Sequence, residues 1–272
     1  MRCLITVLTL WLASSPLTAQ DSSTTQPASP IAAHIRLGDS LETALHPDSA
    51  LPHFRAALAL DSTNYEALWK ASRAVMNVAK QIDSDEDALK KRRDSMYVQA
   101  RALAEAAIRA DPKGSQGHST LAQAVGRLSR TRGGKERVRF AKLIYDEAMT
   151  AVELDSTNDP AYHVLGAWNA ELKRLSGMTR FFAKTLFGAG FMDKANWGDA
   201  ERYMRRAVAL NPEHIYHHLE LAEVYVDVKK YDKAREQLTL IPGLPIRDVL
   251  DEEYKKEAAA LLEEIKNKKD YS

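Results

Sequence analysis

Three histidines stand close together in "NPEHIYHHLE", at positions 214, 217 and 218. On a helix His214 and His218 are about one turn apart, so two imidazoles can face one metal ion. The stretch has no HExxH pattern, no third-ligand motif beside it and no cysteine. Packing histidines at a helix start are therefore the expectation, and no metal is assigned. A second cluster runs from Arg127 through Arg130, Arg132, Lys135 and Arg137 to Arg139, opposed only by Glu136. Guanidinium groups on a glycine-containing turn can hold phosphate or carboxylate through charge-assisted hydrogen bonds. The competing reading is a solvated loop between two helices. "RGGKER" is not a phosphate loop, because Ser129 stands where that loop needs a further glycine. No aromatic residue separates the bases before Phe140, so a stacking platform for single-stranded nucleic acid is missing. The acids Asp83, Asp85, Glu86 and Asp87 form a run typical of a solvated loop, and no nucleophile elbow, dinucleotide fingerprint or carboxylate pair occurs. The expectation is a protein that is not an enzyme and needs no cofactor.

The elements that must position these groups are helical. In residues 31–64 apolar or small residues recur at helical spacing in two blocks parted by "HPDS": Leu37, Gly38 and Leu41, then Ala50, Phe54 and Ala57. The same register returns as Ala100, Ala104, Ala107 and Pro112, and again as Ala200, Met204, Ala207 and Pro212. Small residues let two helices approach closely, larger ones fill the gaps, and proline stops the second helix. "LDSTN" takes the place of the proline turn twice, at 60–64 and 154–158, and offers Ser or Asp as a cap for the next helix. The pattern resembles the tetratricopeptide repeat (TPR), a helix–turn–helix unit of about 34 residues. The expected fold is all-α, a tetratricopeptide-type helical repeat array (α-solenoid) over residues 31–268. Its units are 31–64, 65–114, 115–158, 159–214 and 215–248, the central repeats are lengthened, and a capping helix covers 248–268.

Residues 1–19 carry one base, Arg2, an apolar run from Leu4 to Ala13 and a small residue, Ala19, before a plausible cut. That is a secretory signal peptide, too short in its apolar part to span a bilayer, so an exported, periplasmic or secreted protein without a transmembrane segment in the mature chain is expected. Residues 20–30, rich in Ser, Thr and Pro, form a flexible linker. The lone cysteine, Cys3, would leave with the leader, so the mature chain has neither disulfide nor thiol chemistry. Losing Arg2 leaves bases equal in number to the 37 acids. A global electrostatic pull on nucleic acid is not expected.

Three stretches narrow the resemblance. "EALWKASRAVMNVAK" (66–80), "GGKERVRFAKLIYDEAMTAVELD" (133–155) and "HVLGAWNAELKRLSGMTRFFAKTLFG" (163–188) together resemble the regulator of microtubule dynamics family, most specifically in "LGAW" and "LFG". The resemblance covers roughly residues 50–265 and implies a helical scaffold that binds another protein or an apolar ligand; microtubule binding is not carried over to an exported chain. The tetratricopeptide resemblance implies a concave binding surface built from the first helix of each unit. Its positions fall here on Trp69, Arg73, Met76 and Asn77, on Gln116, Ser119, Gln123 and Arg127, and on His163, Ala167 and Glu171. The Lys and Asn of a peptide-carboxylate clamp are not matched, while an aromatic floor edged by Arg73 and Arg127 suits an extended peptide or an amphiphile with an anionic head. Residues 174–191, with four phenylalanines, put Met178, Phe181, Phe182 and Leu186 on one helical face. Core packing against the array is the leading expectation for that face, ahead of a ligand lip at Phe181 and Phe182 or contact with a membrane surface. Two functions follow: a scaffold binding a protein or peptide in the concave groove, or a carrier of a lipid or other amphiphile in a cavity between the lengthened central helices.

Overall fold

A computed structural model describes residues 29–270, so the leader and residues 20–28 of the linker lie outside the described residues. The order is α1 (Pro30–Thr43), α2 (Pro47–Leu60), α3 (Tyr65–Lys80), α4 (Asp87–Ala110), α5 (Ser115–Ser129), α6 (Gly134–Leu154), α7 (Asp159–Arg174), α8 (Gly177–Phe187), α9 (Trp197–Leu210), α10 (Ile215–Asp227), α11 (Tyr231–Leu240) and α12 (Asp251–Ile265). Among the described residues there is no strand. Helices pack as hairpins, α1 with α2, α3 with α4, α5 with α6, α7 with α9 and α10 with α11. The first helices α1, α3, α5, α7 and α10 also pack on one another in series, which makes them the inner layer of an all-α repeat array. α12 closes the stack against α10 and α11.

The register residues explain why the hairpins are tight. Gly38 faces the fully buried ring of Phe54, and a Cβ added there would lie 2.5 Å from that ring. Gly166 meets the buried Met204 in the same way, with a Cβ placed 2.6 Å from its Cγ. At the equivalent place α3 uses Ser72, whose hydroxyl donates to the Ala100 carbonyl at 2.7 Å and so stays satisfied while buried. Ala100, Ala104, Ala107, Ala200 and Ala207 are all fully buried.

The two "LDSTN" turns fold alike, and the cap is neither Ser nor Asp. Asp61 accepts from the Thr63 amide and hydroxyl at 2.9 and 2.8 Å, and Asn64 then caps α3 by accepting from the Ala67 amide at 3.0 Å. Asp155, Thr157 and Asn158 repeat this before α7, with Asn158 accepting from Ala161 at 3.1 Å. Aspartate two residues before a turn amide closes an Asx turn, which leaves the next side chain, asparagine, in the capping position.

The phenylalanine-rich stretch departs most from the sequence expectation. α8 is a sound helix, capped by Ser176 through the Thr179 amide and ended by Gly188 in the left-handed conformation at φ 67°. Yet none of its residues is buried, and Met178, Phe181, Phe182 and Leu186 are 70, 62, 50 and 66% exposed. The core expectation is thus overturned. α8 is inserted between the two helices of a complete hairpin, α7 and α9, whose mutual contact already fills the inter-helix space; only its other edge packs, against α6.

The Gly38–Phe54 contact makes a direct prediction. Gly38→Val overpacks the first hairpin and lowers its stability in a urea titration by about 1–3 kcal/mol, and Phe54→Leu added to it restores part of the loss.

Candidate functional site

A cavity of about 1240 Å³ opens on the inner layer. α3, α5, α7 and α10 line it together with the turn before α12, the start of α6 and one edge of α8. The C-terminal turn reaches it because Lys80, the last residue of α3, meets Asp248 at 2.9 Å, with both side chains largely buried. The turn is built for that contact. Asp251 accepts from the amides of Arg247 and Asp248, both at 2.7 Å, and Asp248 holds the Leu250 amide at 3.0 Å. The second repeat is therefore tied across the concave face to the turn before the closing helix, which narrows the groove into a cavity.

The cavity has two ends of different chemistry. At one end stand Arg127, His163, His214, Tyr216, His217 and Tyr254. Arg127 lies deep within it, forms no ion pair among the described residues, and has the hydroxyls of Tyr254 and Tyr216 as its polar neighbours. Tyr216 donates instead to Glu220 at 2.6 Å and stacks on Tyr254 with centroids 4.3 Å apart. Burial, against the pull of Arg127, pushes the Tyr254 hydroxyl up to about 12. Burial also lowers the Lys80 ammonium, against the pull of Asp248, and holds His163 well below its usual range, helped by His217. His214 is brought down to about 4 by burial and by His217. At the other end the walls are Val138, Ile144, Trp168, Leu172, Leu175, Phe182, Phe187 and Met192, with Arg137 beside Val138 also on the lining.

Of the residues read from sequence, Trp69, Arg73, Met76, Asn77, Gln123, Arg127, His163 and Phe182 line this cavity. Arg73 lies over the half-buried Trp69 at 5.0 Å and 3.5 Å from Glu42, whose carboxyl burial raises although Arg73 opposes it. Asn77 donates to Glu42 at 3.0 Å. Met76 is core, only 3% exposed, and offers the cavity little more than an edge. Phe181 does not line it: its ring meets Phe182 edge-on at 5.8 Å and otherwise faces outward. Trp168 is core, donating to the Ala141 carbonyl at 2.7 Å and packing on Tyr145, with one edge on the cavity.

The histidine triplet separates. His214 and His217 stack face to face at 4.0 Å, a geometry that turns their nitrogens away from a common ion, and His217 bonds to His163 and Asp159 at 3.0 and 2.8 Å. His218, also buried, bonds instead to the Pro212 carbonyl at 2.9 Å and to Gln237 at 2.9 Å. His118 does the same with the Pro112 carbonyl and Glu147, at 3.0 and 2.6 Å, so this histidine is a repeat-turn latch. No group of three or more metal-capable side chains gathers among the described residues. Lys80, Asp248, Tyr216 and Tyr254 are cavity residues that the sequence pattern does not mark. The repeat register describes neighbours, and the fold-back of the C-terminal turn onto α3 is a contact between residues far apart in the chain.

Comparison with known proteins agrees with this geometry. The family model described as regulator of microtubule dynamics protein 1-3 matches residues 36–266. Regulator of microtubule dynamics protein 1 of Bos taurus is 24% identical over 209 residues, 76% of this chain and 64% of its own length. Its Mus musculus counterpart is 24% identical over 203 residues, 74% of this chain and 65% of its own. The chain thus spans just under two thirds of these relatives. Among solved structures, a thermophilic TPR protein of Thermus thermophilus aligns with a TM-score of 0.61 at 18% identity, over 85% of this chain and 99% of that one. Pseudomonas aeruginosa pilF aligns with a TM-score of 0.52 at 13% identity, over 87% and 91%. These likenesses show a TPR-type helical fold.

Two outcomes follow from the site. Asp248→Asn strands the Lys80 ammonium and costs about 1–3 kcal/mol of unfolding free energy, whereas Lys80→Met with Asp248→Leu is nearly neutral. For His214 the unfolded chain, at an ordinary histidine pKa near 6.5, takes up its proton before the folded chain, at about 4, does. Stability from this group is therefore complete above that window and lost as pH falls through it. Glu223 works in the opposite sense: burial and Glu220 raise it to about 7, so its contribution is lost as pH rises. The parent and His214→Gln must accordingly be compared at each pH. The variant's loss of unfolding free energy between about pH 7 and pH 5 is smaller than the parent's by about 1–2 kcal/mol.

Proposed function

The chain belongs to the regulator of microtubule dynamics family, and from that premise we propose that it is a non-enzymatic binding protein whose cavity carries an amphiphile with an anionic head. The observation that carries this reading is Arg127, a guanidinium deep in the cavity without a carboxylate partner, facing one end of a space whose other end is walled by Trp168, Leu172, Phe182 and Phe187. Arg127 is half-buried on the cavity lining, and an anionic headgroup would supply its missing counter-charge by charge-assisted hydrogen bonds. An alkyl chain would then lie along the apolar walls, at roughly 25 cal/mol per Å² removed from water. A volume of about 1240 Å³ exceeds the usual 300–1,000 Å³ of a small-molecule pocket and suits a long ligand.

A second reading keeps the scaffold: a protein or peptide partner in the concave face, which the TPR-type fold favours and for which Trp69 and Arg73 would be the contacts. The Lys80–Asp248 tie counts against a peptide threaded along the whole groove, because it bridges the groove between α3 and the turn before α12. The leader-like residues 1–19 support an exported, periplasmic or secreted setting, and the microtubule activity in the relatives' name is not extended to this chain.

Titration with fluorescent single-chain amphiphiles tests the carrier reading. Arg127→Gln weakens a phosphate-headed probe by about 10–100-fold while changing a hydroxyl-headed probe of equal chain length little. Equal loss for both probes, or no binding to the parent, contradicts it.

A further inference from the structure

α8 leaves an apolar face without a partner, and the charge around that face says what covers it. Elsewhere the exposed large apolar residues, such as Leu37, Val98 and Leu240, are scattered singly on different helices. On α8 Met178, Phe181, Phe182 and Leu186 are exposed together on a single helix. Clustered exposure of this kind marks an interaction surface.

The surroundings are strongly basic in a chain whose bases and acids otherwise balance, 38 against 37. α8 packs against α6, and Gly134 at the start of α6 approaches the Phe187 ring. The two segments so joined, 130–139 and 173–194, contain only two acids, Glu136 and Asp193, against Arg130, Arg132, Lys135, Arg137 and Arg139 in the first and Lys173, Arg174, Arg180, Lys184 and Lys194 in the second. Both acids are already taken, Asp193 by Lys184 and Glu136 by Arg132. Arg130, Lys135, Arg137, Arg139 and Arg180 have no carboxylate within ion-pair distance among the described residues. An apolar helical face rimmed by unpaired bases is the composition of an interfacial helix, which lies in the headgroup plane of a bilayer carrying negative charge. No helix among the described residues is long and apolar enough to cross a membrane, so the contact would be peripheral.

We propose that α8 docks the protein on an anionic phospholipid surface, with Met178, Phe181 and Leu186 entering the headgroup region and Lys135, Arg137 and Arg180 meeting the lipid phosphates. The other edge of the same helix, at Phe182, Ala183 and Phe187, lines the cavity. Docking would therefore bring the apolar end of the cavity to the bilayer. The inference extends the carrier reading, but its test requires no cargo.

The test is flotation of the purified protein with phosphatidylcholine vesicles, neutral or containing ~30 mol% phosphatidylglycerol. The parent floats with the anionic vesicles at least about tenfold better than with neutral ones, and high salt weakens it. Phe181→Asp with Leu186→Asp loses about tenfold or more of that binding, and Lys135→Glu with Arg137→Glu does so on anionic vesicles. Because α8 buries none of its residues and Lys135 and Arg137 are exposed in the first turn of α6, both variants keep the parent's helical circular dichroism and thermal transition. Flotation without amphiphile uptake in the cavity would leave the docking intact and overturn the carrier reading alone. Equal flotation with neutral vesicles, none with either, or a parent dimer by light scattering that Phe181→Asp with Leu186→Asp splits would overturn the docking.

Discussion

The ion pair between Lys80 and Asp248 decides what this repeat array is. A solenoid whose ends are free presents an open concave face, along which a partner chain can lie. Here the C-terminal end of α3 is bonded to the turn that leads into α12, and the concave face becomes a room of about 1240 Å³. The pair is expensive to desolvate, so its two charges hold a geometry more than they add stability. The turn is shaped for this purpose by Asp251, which gathers two amides and presents Asp248 to α3.

Once the room exists, its polar end follows from which side chains the inner helices point inward. Arg127 on α5, His163 on α7 and Tyr216 on α10 come from three successive repeats, and Tyr254 from the closing helix. Burial holds His163 and His214 below the usual histidine range, and Arg127 stands among them without a carboxylate partner. The apolar end is supplied by the elements that exceed a minimal repeat, the start of α6, the end of α7, and α8. Extra length in the middle of the array thus forms one wall of the cavity.

How much of this is legible in the sequence depends on the range of the contact. Gly38 against Phe54 and Gly166 against Met204 are contacts within one hairpin, and they follow from residue size at helical spacing. The inner-face positions at Trp69, Arg73, Gln123, Arg127 and His163 follow from the same register. Lys80 and Asp248 make a contact that no local spacing encodes, so the change from groove to cavity is invisible in the pattern. His218 misleads by its neighbours: the repeated latch at His118 is the better signal, a histidine six residues after a turn proline in both places. α8 is legible as a helix and as amphipathic, but periodicity says that a face is apolar without saying what covers it.

Occupancy of the cavity by an amphiphile is measured most directly by native mass spectrometry of the protein purified gently from its own source, followed by organic extraction, which needs no chosen probe. One anionic amphiphile per chain is expected in the parent, with loss of that adduct in Arg127→Gln. An empty chain that co-purifies with a second polypeptide contacting Trp69 and Arg73 would contradict the carrier and establish the scaffold.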